Sequence, residues 1–168
     1  MRRAIAWAVV VVTALLLQST VFAQVKLGGA TPELMYLITV IMAMIEGPEA
    51  GAISGFAAGM GQDFLLNQPK GINALTLTIL GYVVGRVRQY IVTPSPALPV
   101  LLVAAATAGG ILFYGLVAYL LGQLPGGIVF LFKTAVLSAL YNALLTPLVY
   151  PVLRRVAESS RAKKVFRW

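Results

Sequence analysis

The chain reads as an all-α, polytopic membrane bundle of six transmembrane helices, and three observations lead there. Its 168 residues are 60% hydrophobic and 11% charged, with a mean hydropathy of +0.89, a composition suited to a lipid solvent. Six apolar segments are separated by short breaks carrying Gly, Pro or charge, which is the punctuation of consecutive spans. Within one of them Gly47, Gly51, Gly55 and Gly59 stand four residues apart and lead to Asp63, the sole aspartate. Each glycine costs about 1 kcal/mol of helix propensity relative to Ala. Helices in lipid offset that loss by close backbone approach at small-xxx-small positions.

The expected helices cover 4–25, 32–46, 48–66, 71–87, 97–121 and 128–153, in a single domain over 1–153 followed by a basic tail over 154–168. The first carries Arg2-Arg3, an apolar run and Val21-Phe22-Ala23, which also fits a cleavable signal peptide. Its apolar stretch reaches Val25, however, which makes it long enough to be a retained span. Thr31-Pro32-Glu33 offers an N-cap, a proline for the first helical position and a carboxylate at the positive helix end, marking the start of the second helix. Gly47-Pro48-Glu49 repeats this grammar and predicts a tight antiparallel hairpin between helices two and three. The second helix has an apolar run of only twelve residues, Leu34 to Ile45, short for a bilayer core that needs about 20.

Counting basic residues orients the bundle. With both termini cytoplasmic, Arg2, Arg3, Arg86, Arg88 and the tail residues Arg154, Arg155, Arg161, Lys163, Lys164 and Arg167 lie inside, whereas Lys26, Lys70 and Lys133 lie outside. Ten against three follows the positive-inside rule. A basic tail beside a span seats on anionic lipid headgroups, each residue contributing roughly 1 kcal/mol, and is not a nucleic-acid site.

The glycine stripe has two readings: internal helix packing, with Gly81 and Gly85 of helix four or Ala104, Ala105, Ala108 and Gly109 of helix five as partners, or a groove that receives a span of another protein. At the predicted outer end, Gln18, Asp63, Asn67 and Asn73 form a polar cluster with Gln62, Gln68 and Lys70. It either binds a partner or solute, or is a solvated rim in which Asp63 caps a helix or pairs with Lys70. In the last helix Pro147 removes a backbone donor and predicts a kink, with Asn142 or Thr146 available for the freed carbonyl, or Asn142 for an interhelical hydrogen bond.

Catalytic signatures are missing from the sequence. There is no Cys or His, which removes thiolate nucleophiles, His-based triads and the usual Zn, haem and Fe–S ligand sets. Ser54 lies in Ala-Ile-Ser-Gly, outside a nucleophile elbow. Glu46 and Glu49 are expected at the opposite end of the bundle from Asp63, so no carboxylate dyad forms. No catalytic residue, cofactor or metal site is expected.

Leu17-Gln18-Ser19, Thr31-Pro32-Glu33-Leu34, Gly55-Phe56-Ala57-Ala58-Gly59-Met60-Gly61-Gln62-Asp63 and Gly71 together resemble the rod shape-determining protein MreD family. The likeness spans roughly residues 13 to 90; the C-terminal half agrees in span pattern and basic end, and Glu33 stands where an aspartate is common. The resemblance implies a non-enzymatic scaffold in the bacterial cytoplasmic (inner) membrane, part of the elongation machinery for rod shape and peptidoglycan synthesis. Its implied partner is MreC, and through it MreB, RodA and the RodA-associated transpeptidase. It also implies the fold of the substrate-binding subunits of energy-coupling-factor transporters, whose function is the alternative reading.

Overall fold

Leu34 to Ala43 are all buried, so the second helix is apolar on every side and sits in the middle of the bundle, as a helix without a polar face must. The computed structural model describes residues 2–22, 32–65, 71–91, 95, 97–123 and 126–161. The helices are α1 (Arg2–Leu17), α2 (Leu34–Glu46), α3 (Pro48–Leu65), α4 (Ile72–Tyr90), α5 (Leu98–Leu120) and α6 (Gly127–Arg161), with a π-helical turn over Gln18–Phe22 after α1. No strand occurs among the described residues. Helix α2 touches each of the other five. At about 1.5 Å per residue its 13 residues cover roughly 20 Å, and its first turn is buried, so the polar groups at its start must find partners within the protein.

The surface is strongly apolar, and the hydrophobic core includes several polar side chains. Thr39, Thr76, Thr107, Ser138, Asn142, Thr146 and Asp63 are buried, while Val129 is 84%, Leu144 75% and Leu148 69% exposed. An apolar exterior around a core that contains small and polar residues suits hydrocarbon rather than water, and the architecture is compatible with a membrane protein. Among the described residues two helices are long and apolar enough to cross a membrane, Leu98–Leu120 and the stretch Gly127–Glu158 of α6.

Several boundaries differ from those expected, and four of the differences bear on the packing. The first helix changes to π geometry at Gln18 instead of running on as α-helix, and the Ser19 and Thr20 hydroxyls both donate to the Leu16 carbonyl, at 3.1 and 2.5 Å. That competition with the backbone accounts for the altered turn. Helix α2 starts at Leu34, two residues later than expected, with Glu33 as its cap residue; Thr31 lies outside the described residues. Helix α4 runs on to Tyr90. Helix α6 continues to Arg161, so the segment expected as a tail is helical in its first half, with Arg154 donating to Glu158 at 2.8 Å one turn on. Lys163, Lys164 and Arg167 lie outside the described residues. The tight α2–α3 break is found as expected: Gly47, at φ 98°, is its one linking residue, and Pro48 opens α3.

Candidate functional site

The glycine stripe is occupied by α4 of the same chain. A Cβ on Gly51 would lie 2.6 Å from the Gly81 carbonyl oxygen and 2.6 Å from the Ala43 Cβ. At Gly55 it would meet the Leu77 carbonyl, and at Gly59 the backbone of Asn73 and Ala74. From the other side, Cβ atoms on Gly81 and Gly85 would meet the backbone of Gly51 and Pro48. Position along α3 rises as position along α4 falls, so the pair is antiparallel with main chain against main chain. The alternative in which another protein's span lies in this groove is corrected accordingly, because the volume those side chains would have filled holds α4. Gly47 is not part of the groove: a Cβ there meets nothing within 4 Å, and the residue serves the break between helices, where its positive φ favours glycine.

Asp63, at the far end of the stripe, fastens the same pair. It is 1% exposed, and its carboxylate accepts from the Gly71 N–H at 2.8 Å, the Ala74 N–H at 3.1 Å, the Asn73 N–H at 3.3 Å and the Asn73 side-chain amide at 2.9 Å. Gly71 is the cap residue of α4, so a carboxylate from α3 satisfies the orphan donors at the start of α4 and sits at its positive end. Four donors fill its acceptor positions. Of the readings open for Asp63, the helix cap is the one found, but buried instead of on a solvated rim. Lys70, its proposed ion partner, and Asn67 lie outside the described residues.

A second polar centre surrounds the start of α2. Glu33 Oε2 accepts from Gln18 Nε2 at 3.0 Å and from Gln62 Nε2 at 3.3 Å. Gln18 Oε1 in turn accepts from the Met35 N–H at 3.2 Å, doing for α2 from a neighbouring helix what an N-cap side chain does locally. Asn142 Nδ2, from α6, donates to the Glu33 carbonyl and to Thr107 Oγ1 of α5, both at 3.0 Å. A helix that begins within the bundle thus has its first polar groups tied by α6, by α3 and by the turn after α1. Thr146 donates to the Asn142 carbonyl at 2.6 Å, so it does not serve the carbonyl of residue 143.

The predicted polar cluster is consequently two sites. Asp63 and Asn73 belong to the α3–α4 cap, and Gln18 belongs to the Glu33 cage, with Gln62 and Asp63 adjacent in sequence on α3. Glu33, Gln62, Thr107 and Asn142 complete the cage and had not been singled out together as a site. Their shared signal is that each is a polar residue within or beside an apolar run. Of the basic group, Arg154 and Arg155 are exposed on α6. Among the described residues no cluster of three or more acidic, His or Cys side chains is placed to hold a metal. Both carboxylates act as acceptors that hold helices together.

The family model described as rod shape-determining protein MreD matches residues 1–156, which takes in all six helices up to the last turns of α6. No curated protein and no solved structure matches. With nearly its whole length covered, the chain belongs to the rod shape-determining protein MreD family.

Proposed function

We propose that this protein is a non-enzymatic scaffold of the bacterial inner membrane, crossing it six times with both termini cytoplasmic. In this reading it binds MreC and thereby supports MreB, RodA and the RodA-associated transpeptidase in elongation and peptidoglycan synthesis. Residues 1–153 act as one membrane domain, and the basic stretch 154–168 rests on anionic lipids at the cytoplasmic side. Family membership supports the role in rod shape. The observation that carries the scaffold reading is that the polar side chains of the two centres are hydrogen-bonded to other parts of the same bundle. Such bonding builds a rigid platform and assigns neither carboxylate to proton transfer.

Because α4 fills the glycine stripe, MreC meets a different face. The outer end, fixed by Asp63 with Asn73 and by Gln18 with Glu33, provides the preorganised surface against which its extracytoplasmic segment rests. The test is affinity purification of the tagged full-length protein from its native membranes, with identification of whatever accompanies it. Co-elution of MreC in stoichiometric amount is expected. Co-elution of ATPase subunits with a bound vitamin-like molecule would instead place the protein in an energy-coupling-factor transporter and overturn the proposal.

A further inference from the structure

At the opposite end of the bundle from Asp63, a partly open cleft of about 670 Å³ lies between the last turns of α2 and α4, the first turn of α5 and the proline-bearing stretch of α6. Its lining divides by chemistry. Met44, Val100 and Pro147 form an apolar wall, whereas Arg88, Arg154 and Tyr150 bring two guanidinium groups and a phenol to the same space. Arg88 Nη1 donates to the Ile91 carbonyl at 3.0 Å, which holds this half-buried side chain at the cleft instead of letting it sweep through solvent. Arg154 Nε pairs with Glu158 at 2.8 Å. That pair is exposed on both sides, so it is worth little and can yield to a stronger acceptor. Glu158 itself lines an adjoining smaller recess rather than this cleft.

A small soluble anion would use the two arginines and leave the apolar wall wet. A hydrocarbon chain alone would leave the charge and the remaining donors of two guanidinium groups facing it. One molecule that satisfies both halves has a phosphate at one end and acyl chains at the other. Basic recesses between membrane helices at the cytoplasmic side are a known form of headgroup site, and guanidinium is the side chain best matched to phosphate. We infer that this cleft binds an anionic phospholipid, its phosphate between Arg88 and Arg154 and its chains along Met44, Val100 and Pro147. The inference rests on the bundle lying in a membrane with its basic end at an anionic leaflet, and it is independent of MreC.

The experiment is native mass spectrometry of the full-length protein in detergent, titrated with phosphatidylglycerol and, separately, with phosphatidylcholine. Wild-type protein retains phosphatidylglycerol in preference. Arg88→Gln and Arg154→Gln each weaken that retention about fivefold, which corresponds to about 1 kcal/mol per basic residue. Val100→Trp fills the apolar side and weakens retention with no change of charge, while Arg86→Gln, an exposed α4 residue that does not line the cleft, leaves it unchanged. Arg154 is exposed, so its glutamine variant reports on the site even where another substitution disturbs folding. Equal sensitivity to Arg86→Gln, indifference to Val100→Trp, or displacement of the lipid by inorganic phosphate would each overturn the proposal, the first two pointing to diffuse attraction and the third to a soluble-anion site.

Discussion

Helices α3 and α4 meet through their main chains, whereas α5 and α6 meet through side chains, and the contrast shows two ways of joining helices where apolar burial gives little preference between helix and lipid. On α3 and α4 the missing side chains of Gly51, Gly55, Gly59, Gly81 and Gly85 bring backbone against backbone, and a buried carboxylate locks one end. On α5 and α6 the contact is made by larger groups: Leu131 fills the space beside Gly115, and the Thr107–Asn142 hydrogen bond pins the pair near the start of α2. A backbone contact cannot yield to an added atom, because neither side has a rotamer to change. A side-chain contact can repack.

The largest expected effect follows from that rigidity. Gly59→Leu places a branched side chain against the Asn73–Ala74 backbone and lowers stability by about 3 kcal/mol or more. Gly109→Leu, on α5 where a Cβ meets nothing within 4 Å, changes it by less than about 0.5 kcal/mol. Thermal unfolding in one detergent, followed by circular dichroism, compares the two; equal effects would erase the distinction between the helix pairs.

Next comes the lock. Asp63→Ala leaves the first N–H groups of α4 without their acceptor in a buried setting and lowers stability by about 2 kcal/mol. Asp63→Asn keeps one carbonyl acceptor and loses about half as much. Chemical denaturation of both variants checks the order, and an Asn variant as damaged as the Ala variant would assign the effect to charge alone.

Asn142→Ala is expected to be milder, about 1 kcal/mol, and to couple with Thr107→Val by about 0.6 kcal/mol in a double-mutant cycle, the usual scale for an interhelical hydrogen bond in lipid. A coupling near zero would remove this pin from the account of α5 and α6. Smallest, and opposite in sign, is Gly109→Ala, which raises helix propensity at an open position and stabilises by about 0.5 kcal/mol. A rise in Tm for Gly109→Ala beside a fall for Gly59→Ala would show that context, not residue type, decides what a glycine does here.

Much of this was legible in the sequence because it is local. Gly47-Pro48-Glu49 marked the α2–α3 break correctly, and four-residue spacing exposed the stripe and named Gly81 and Gly85 as one possible partner set. The choice between α4, α5 and a foreign helix was not legible, since small residues occur on both neighbours and spacing carries no address. The Glu33 cage was hidden for a related reason: its amides come from 15 and 29 residues away, and the pin on its carbonyl from 109. No periodicity connects them; what connects them is the need to satisfy a helix that starts inside the protein. Helix α6 outran its expected end because nothing after Pro151 breaks a helix, and Arg154 with Glu158 supplies an i,i+4 pair that supports continuation. The resemblance drawn from residues 13 to 90 extends, by the family match, to residues 1–156.

The glycine stripe belongs to this chain's own fold and not to a partner. Unfolding of purified Gly55→Leu protein, in the absence and in the presence of MreC, tests it most directly. A large loss of stability in the isolated protein is expected, since the new side chain runs into the Leu77 carbonyl with no partner present. An isolated variant as stable as wild type that has lost only its association with MreC would contradict the account and return the groove to the partner.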